Sequence, residues 1–240
     1  MVKPVDVCPS FTSDIIMKEA NPTSSIFVQS IVRWFRSHGR SFPWRETSNP
    51  YHVLVAEVLL RQTQAWRVVR PYLDLIKQYP NAQTLAQADV VKLRRWFKPL
   101  GLVKRADYLI QCSQILISDY AGKVPGDLKA LESLHGLGRY SARAILCLGF
   151  NQPVPMIDEG SGRVLRRALG YKSKGPAFSD PALMHAVERI LPRKSFRNFN
   201  LGLIDIADAY CHPTKPDCLG CPLLNVCVYG VGQISQQTKG

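Results

Sequence analysis

Acidic residues are scarce in this sequence. Asp and Glu together number 18, against 31 Lys and Arg, so the formal net charge is +13. The basic residues are spread over several segments, which favours a long polyanion as partner over a single small anion, because each neutralised phosphate releases counterions. A basic surface that only faces solvent is the alternative interpretation.

Long apolar runs are absent as well. No segment has the length and apolar character needed to span a bilayer, and there is no lipidation motif. Residues 1–24 are polar and mixed, without the basic start and apolar stretch of a secretion signal. These absences predict a protein without a membrane partner that is made and kept in the cytoplasm.

The alternation of apolar and polar residues that marks a β-strand does not persist anywhere, and no repeat of about 20 to 50 residues is visible. Apolar residues recur instead at helical spacing, so the sequence predicts an all-α fold. The 240 residues can form one large domain or two smaller ones that share a cleft. A composition of 46% hydrophobic and 20% charged residues is typical of a soluble globular protein.

Disulfides are not expected from the seven cysteines, because four of them cluster near the C-terminus of a chain predicted to stay in a reducing compartment. These four are Cys211, Cys218, Cys221 and Cys227. Such a group can hold a tetrahedral zinc ion or a cubane iron–sulfur cluster. The intervals of six, two and five residues fit poorly with the two closely spaced pairs that are common in structural zinc sites.

Two helix starts lie in the segment 134–167, and each offers a different chemistry. The first follows Gly136-Leu137-Gly138, where backbone N–H groups beside glycines allow the close approach of a phosphate. The second is at Asp158, where a carboxylate at the N-cap would be held rigidly and kept ionised by the helix dipole. Taken singly, these features are more often a tight turn and an ordinary helix cap.

Glu57 is surrounded in sequence by aliphatic residues, from Val53 to Leu60. A carboxyl group buried among them would have a raised pKa and could carry a proton near neutral pH. The alternative from the residues alone is a solvated helix face on which Glu57 pairs with Arg61, four residues later.

The order and separation of these elements resemble a known family. The run Leu134-x-Gly-Leu-Gly-Arg-Tyr-Ser-Ala, followed by an Asp eighteen residues beyond Tyr140, resembles the helix-hairpin-helix DNA glycosylases of the endonuclease III superfamily. The segment FPWRETSNPYHVLVAEVLLRQTQ is similar to the adenine and thymine mismatch glycosylases of that superfamily. The resemblance covers about residues 27 to 228.

The resemblance implies two helical lobes with a cleft for DNA and the extruded base between them. Residues 45–153 would form a six-helix barrel lobe, with the helix-hairpin-helix at 128–147. Residues 25–44 and 154–230 would form an iron–sulfur lobe from both chain ends, and 1–24 and 231–240 would be tails. The cysteine spacing matches that of the superfamily's [4Fe–4S] cluster, which is therefore expected over zinc.

The resemblance also implies a role for each site residue. Asp158 would stabilise the oxocarbenium-like sugar and orient or deprotonate the attacking water, while Glu57 would act on the departing base. Tyr140 would stack on the extruded base or steer the water. The expected DNA-binding residues are Gln62, which would fill the gap left by the base, and Gly136, Leu137, Gly138, Arg139, Ser141 and Arg163.

Four residues define the subclass and the departures from the family. Members that also cut the strand carry Lys where this chain has Tyr140, so we expect a monofunctional glycosylase without strong lyase activity. His135 replaces a usual Pro, and Glu159-Gly160 replaces a usual small residue and Asn after the catalytic Asp.

The expected reaction is hydrolysis of the N-glycosidic bond of thymine or uracil opposite guanine, in double-stranded DNA, by a monomer acting in base excision repair. This choice rests on the similarity of LLRQT to the thymine branch, and on a chain that stops soon after Cys227 without the further domain of the adenine branch. Gln62-Thr63-Gln64 resembles the adenine branch, so an adenine glycosylase acting opposite guanine or oxidised guanine is the alternative. A non-catalytic iron–sulfur DNA-binding module is the second alternative.

Overall fold

The computed structural model describes residues 22–101, 103–172 and 175–237. No strand occurs in these ranges, which confirms the predicted all-α fold. The α-helices are α1 Pro22–His38, α2 Pro43–Glu46, α3 Pro50–Leu60, α4 Ala65–Gln78, α5 Ala82–Ala86, α6 Val90–Phe97, α7 Lys104–Tyr120, α8 Leu128–Ser133, α9 Arg139–Ala144, α10 Glu159–Leu169, α11 Pro181–Ile190, α12 Phe196–Ala209 and α13 Val228–Gln237. Short 3₁₀ turns occupy Lys98–Leu100, Ala177–Ser179 and Leu224–Val226, and a π-helical turn, Ile145–Gly149, follows α9.

The helices form two compact units, each assembled from segments that are distant in sequence. The cysteine unit takes the chain up to Gly39, then Ile157–Pro192, and then the chain from Asn198 onward. The hairpin unit takes Arg40–Met156 and the short segment Arg193–Arg197. The boundaries expected from the sequence fall after residues 44 and 153, with residues 193–197 in the lobe that holds the cysteines.

The cysteine unit has its own apolar core. Helix α1 contributes Phe27 and Ile31, one turn apart, and the ring of Phe27 meets Phe199 of α12 edge-on, with 6.4 Å between ring centroids. Helices α10 and α11 add further aliphatic side chains, namely Val164, Leu165, Leu169, Leu183 and Val187. Three of the clustered cysteines pack against this core, which therefore supports the cysteine loop.

Helix α3 is the buried centre of the hairpin unit. It begins at Pro50, whose missing N–H suits the first helical position, and Asn49 caps it by accepting a hydrogen bond from Tyr51 N at 2.9 Å. Every residue from Val53 to Leu59 is buried, as expected of a helix that is apolar all round. Gly149 permits the close approach of the π-turn, since a Cβ there would lie 2.7 Å from Pro50 Cα.

The chain ends differ from the tails expected at 1–24 and 231–240. Residues 1–21 and 238–240 lie outside the described residues. Helix α1 already begins at Pro22, because proline suits the first turn of a helix. Helix α13 continues to Gln237, and the backbone N of Val231 donates to Cys227 O at 3.0 Å. Across the described ranges, no helix combines the length and apolarity that a membrane crossing requires.

Candidate active site

Asp158 is the N-cap of α10, as the sequence predicts. Its Oδ1 atom accepts two hydrogen bonds from Ser161, one from the backbone N and one from Oγ, each at 2.7 Å. The Ser161 hydroxyl in turn accepts the backbone N–H of Asp158 at 2.9 Å, which completes a capping box. Among the described residues, the side-chain hydrogen bonds of Asp158 all use Oδ1, so Oδ2 is the oxygen available to another ligand.

Two glycines in α10 allow neighbouring segments to pack closely around Asp158. A Cβ on Gly160 would lie 3.1 Å from the Cβ of Ala207 in α12 and 3.4 Å from Asp158 Oδ1. A Cβ on Gly162 would overlap the Cβ of Ala177 at 2.1 Å. The 2.1 Å overlap at Gly162 requires glycine there, whereas a Cβ on Gly160 would fit only if Ala207 moved by a few tenths of an ångström.

Glu159, the second acid at this helix start, is bonded to the loop that follows α10. Its Oε1 accepts a hydrogen bond from Ala177 N at 2.9 Å, at the start of a 3₁₀ turn. Arg166, two turns further along α10, donates to Gly175 O at 2.9 Å and pairs with Asp180 at 3.3 Å. Together these contacts tie the loop to the helix that Asp158 caps.

Glu57 and Tyr140 both belong to the hairpin unit. Glu57 lies on α3 and is 6% exposed, so the alternative of a solvated helix face is wrong. Tyr140 is the second residue of α9 and is half-buried. Since Asp158 caps a helix of the cysteine unit, the predicted catalytic residues come from both units.

The turn after α3 holds Gln62 in a left-handed backbone conformation. Its φ is +53°, which non-glycine residues rarely adopt, and its side chain is exposed. Arg105 of α7 supports this turn from within, because its Nη1 donates to Leu59 O and, at 3.2 Å, to Thr63 Oγ1. Burial, with a smaller contribution from nearby Arg61, lowers the pKa of Arg105 to about 10, which still leaves it cationic at neutral pH.

The helix-hairpin-helix consists of α8, the turn 134–138 and α9. Asp127 caps α8 by accepting a hydrogen bond from Ala130 N at 2.9 Å. Gly136 has a φ of +85°, and a Cβ there would lie 3.0 Å from the Cβ of Tyr108, so this position requires glycine. Gly138 is the N-cap of α9 and faces open space.

Several residues expected to contact DNA are brought together at the hairpin turn. Leu137 is half-buried, while Gly138 and Arg139 are exposed. The turn that carries Gln62 is joined to the hairpin, because Arg61 Nη1 donates to Gly136 O at 2.8 Å. The turn that carries Gln62 and the hairpin turn therefore lie on one surface of the hairpin unit.

Of two other residues expected to contact DNA, one is buried and the other makes a hydrogen bond within the protein. Ser141 is buried in α9, with 7% exposure. Arg163 lies on α10 in the cysteine unit, and its Nε donates to Cys211 O at 2.6 Å. The structure thus gives Arg163 a contact with the cysteine loop that its sequence position did not indicate.

Cys211, Cys218, Cys221 and Cys227 line one cavity of the cysteine unit. Arg167 Nη1 donates to Cys211 Sγ at 3.3 Å, and Gly230 N donates to Cys227 Sγ at 3.4 Å. Burial raises the pKa of the Cys227 thiol, and the hydrogen bond from Gly230 N partly opposes that rise. In the part of the chain that the structure describes, no three His, Cys, Asp or Glu side chains form a group that could hold a single metal ion.

A comparison with known protein families shows the family to which this chain belongs. A model of the HhH-GPD superfamily of base excision DNA repair proteins matches residues 55–191. The chain belongs to this superfamily. The matched segment includes Glu57, the hairpin and Asp158, and it confirms the resemblance found in the sequence.

The relatives of this HhH-GPD chain are DNA glycosylases. It is 36% identical to a thymine-DNA glycosylase of Aeropyrum pernix, over 83% of this chain and 92% of that protein. It is 33% identical to a thymine/uracil-DNA glycosylase of Methanothermobacter thermautotrophicus, over 87% of this chain and 95% of that protein. An adenine DNA glycosylase of Mycobacterium tuberculosis is 32% identical, over 81% of this chain and 64% of that protein.

A solved structure of a thermostable thymine-DNA glycosylase shares the fold, with a TM-score of 0.82 and 32% identity. The superposition covers 88% of this chain and 97% of that chain. Together with the family match, these relatives show that the chain is an enzyme of the DNA glycosylase class.

Sequence reasoning missed three residues of this HhH-GPD site. Ser161 stands three positions after Asp158, where a side chain that completes a capping box belongs, so the spacing was a usable signal. Arg105 and Arg61 each act on a segment more than forty residues away, as the separations of 46 and 75 residues in their hydrogen bonds show. No local sequence pattern predicts hydrogen bonds over such separations.

Proposed function

We propose that this protein is a monofunctional glycosylase that hydrolyses the N-glycosidic bond of thymine or uracil opposite guanine in double-stranded DNA and leaves an abasic site. The observation that carries the proposal is the carboxylate of Asp158, which Ser161 fixes through Oδ1 while Oδ2 is not engaged by the described residues. Cleavage of this bond builds positive charge on the sugar, and a fixed carboxylate stabilises that charge.

Asp158 acts on the sugar and on the attacking water. Because two donors of Ser161 hold Oδ1, the carboxylate stays in one orientation and needs little reorganisation when the positive charge develops. Oδ2 orients the water or accepts its proton as the new bond to the sugar forms. The products are a free base and an abasic deoxyribose with an intact strand.

Glu57 acts on the leaving base, by donating a proton or by hydrogen bonding to it. Its burial on α3 suits this role, since a base that leaves as an anion in a dry pocket needs a donor. Tyr140 replaces the lysine of strand-cutting relatives, and a phenol cannot form a Schiff base with the sugar. The reaction therefore ends with hydrolysis.

The names of the relatives support the choice of base. Proteins named for thymine and for thymine and uracil are 36% and 33% identical to this chain. Adenine opposite guanine or oxidised guanine is the competing substrate, because an adenine glycosylase is 32% identical and Gln62-Thr63-Gln64 resembles that branch.

The experiment uses duplexes that carry G:T, G:U or A opposite oxidised guanine, with A:T and G:C duplexes as controls. After incubation, hot alkali cuts the strand wherever a base has been released. We expect alkali-dependent cleavage at G:T and G:U, and none without alkali. Cleavage only at the adenine duplex would replace the proposed substrate with the alternative, and no cleavage on any duplex would leave a non-catalytic DNA-binding module.

We further propose that the four clustered cysteines hold a [4Fe–4S] cluster. Support comes from their shared cavity, from donors directed at two of the sulfurs, and from intervals that match the superfamily's cluster. These four residues would hold the cluster, which when bound would cross-link the loop between α12 and α13.

Elemental analysis of the purified protein tests this assignment. The cluster requires four irons and four sulfides per chain, by its composition. Stoichiometric zinc without sulfide would contradict it.

For oligomeric state we propose a monomer, which light scattering with and without duplex DNA can measure.

A further inference from the structure

Trp66 is the most exposed large hydrophobic residue in the described ranges, with 70% of its surface accessible. It is the second residue of α4, four positions after Gln62. Its indole is not loosely placed, since Nε1 donates to Gln64 Oε1 at 3.0 Å. An exposed indole contributes little to folding, and at this position it offers an aromatic face next to the turn that carries Gln62.

The segment that carries Trp66 is bonded to two other surface turns. Arg67, its neighbour, donates to Pro99 O at 3.4 Å, and Arg105 donates to Thr63 Oγ1 at 3.2 Å. The first bond holds the segment against the turn between α6 and α7, and the second holds it against the start of α7. The preceding residues are joined to the hairpin through Arg61, as described above. These segments thus form one continuous surface of the hairpin unit.

That surface is basic. Exposed cations on the three segments are Arg61, Arg67, Lys98, Lys104 and Arg139. Val103, on the turn between α6 and α7, is also exposed, at 38%. An aromatic face set among cations suits a nucleic acid, because the ring stacks on a base or sugar while the cations neutralise phosphates. An apolar protein partner would leave these charges without counterparts.

We propose that Trp66 packs its indole face on a base or deoxyribose of the duplex, beside the point where Gln62 enters, and adds affinity that does not depend on the mispair. This inference rests on the proposed DNA substrate. On an unpaired base, such stacking contributes about 1–3 kcal/mol, or about 5- to 150-fold in affinity. Phe retains a stacking face at this position, whereas Ala does not.

The test measures binding to a duplex that contains a tetrahydrofuran abasic analogue opposite guanine, which cannot be hydrolysed. We expect Trp66→Ala to weaken binding at least about 5-fold and Trp66→Phe to retain most of it. Leu73→Ala is the matched control, since Leu73 lies on the same helix and is 46% exposed. It should bind like the wild type.

Tryptophan fluorescence gives a second readout on the unmutated protein. DNA should quench the wild-type emission, and the quenched component should be absent from Trp66→Phe. Wild-type affinity of Trp66→Ala, or identical quenching in Trp66→Phe, would overturn the inference. Binding without base release would contradict the proposed function and leave this inference standing, so the two failures are distinguishable.

Discussion

Glu159 Oε1 accepts a hydrogen bond from Ala177 N at 2.9 Å, at the start of the 3₁₀ turn that follows α10. The acid that replaces a usual small residue after Asp158 is thereby bonded to a loop. Asp158 keeps its own partner, Ser161, and the two carboxylates have separate tasks. Glu159, which departs from the family pattern, is therefore held by its hydrogen bond from Ala177 N.

Glu159→Ala removes this hydrogen bond, whereas Glu159→Gln keeps an acceptor for Ala177 N. We expect the alanine variant to lose no more than about 1 kcal/mol in the free energy of unfolding and to release base more slowly. The glutamine variant should match the wild type in both. Urea denaturation and single-turnover base release measure the two effects. A large rate loss in the glutamine variant would show that the negative charge itself is needed.

Gly160→Asn restores the residue that is usual in the family but should impair this protein. The new Cβ would lie 3.1 Å from Ala207 Cβ, so α12 must shift by a few tenths of an ångström, and it would also contact Asp158 Oδ1 at 3.4 Å. We expect slower base release and a loss of about 1–3 kcal/mol of stability, typical of overpacking. The double variant Gly160→Asn, Ala207→Gly tests the cause. It should recover part of both losses, and failure to recover either would point to a different origin.

Tyr140→Lys places an amine where strand-cutting relatives carry one. We expect the variant to form a Schiff base with the sugar, which borohydride reduces to a covalent protein–DNA adduct on denaturing gels. The wild type should give no adduct. Tyr140→Phe is the control, because it keeps the ring but has no amine. An adduct with the wild type would contradict the monofunctional assignment.

The sequence predicted what depends on local patterns. The all-α fold follows from apolar spacing, and the cap at Asp158 follows from a polar residue placed directly before an amphipathic helix. Contacts made across long separations were not predictable. The hydrogen bond from Arg163 to Cys211 joins residues 48 positions apart, and nothing in the sequence around Arg163 indicates this partner.

The helix ends were missed for a related reason. Helix α1 begins at Pro22, within the segment 1–24 that was expected to be a tail. Helix α13 runs through a weakly patterned segment up to Gln237. In both cases, the first or last turns have few apolar side chains of their own, and the hydrophobic pattern therefore underestimates the helix.

His52 should make the protein less stable in mild acid. Burial lowers the pKa of this α3 residue from its ordinary value of 6.5, so the folded state binds the proton less tightly than the unfolded state. The free energy of unfolding therefore falls as pH drops below about 6.5. His52→Gln should show a smaller decrease. Thermal unfolding from neutral to mildly acidic pH measures the difference, and parallel curves for both proteins would contradict it.

The central claim is that the Asp158 carboxylate performs the chemistry and does not only cap α10. Asparagine is as good an N-cap as aspartate, so Asp158→Asn separates the two roles. The decisive measurement is single-turnover base release from a G:U duplex, alongside affinity for the abasic-analogue duplex and thermal unfolding. We predict that Asp158→Asn releases no detectable base while its affinity and unfolding temperature stay close to those of the wild type. Base release at the wild-type rate, or loss of DNA binding in parallel with activity, would contradict the account.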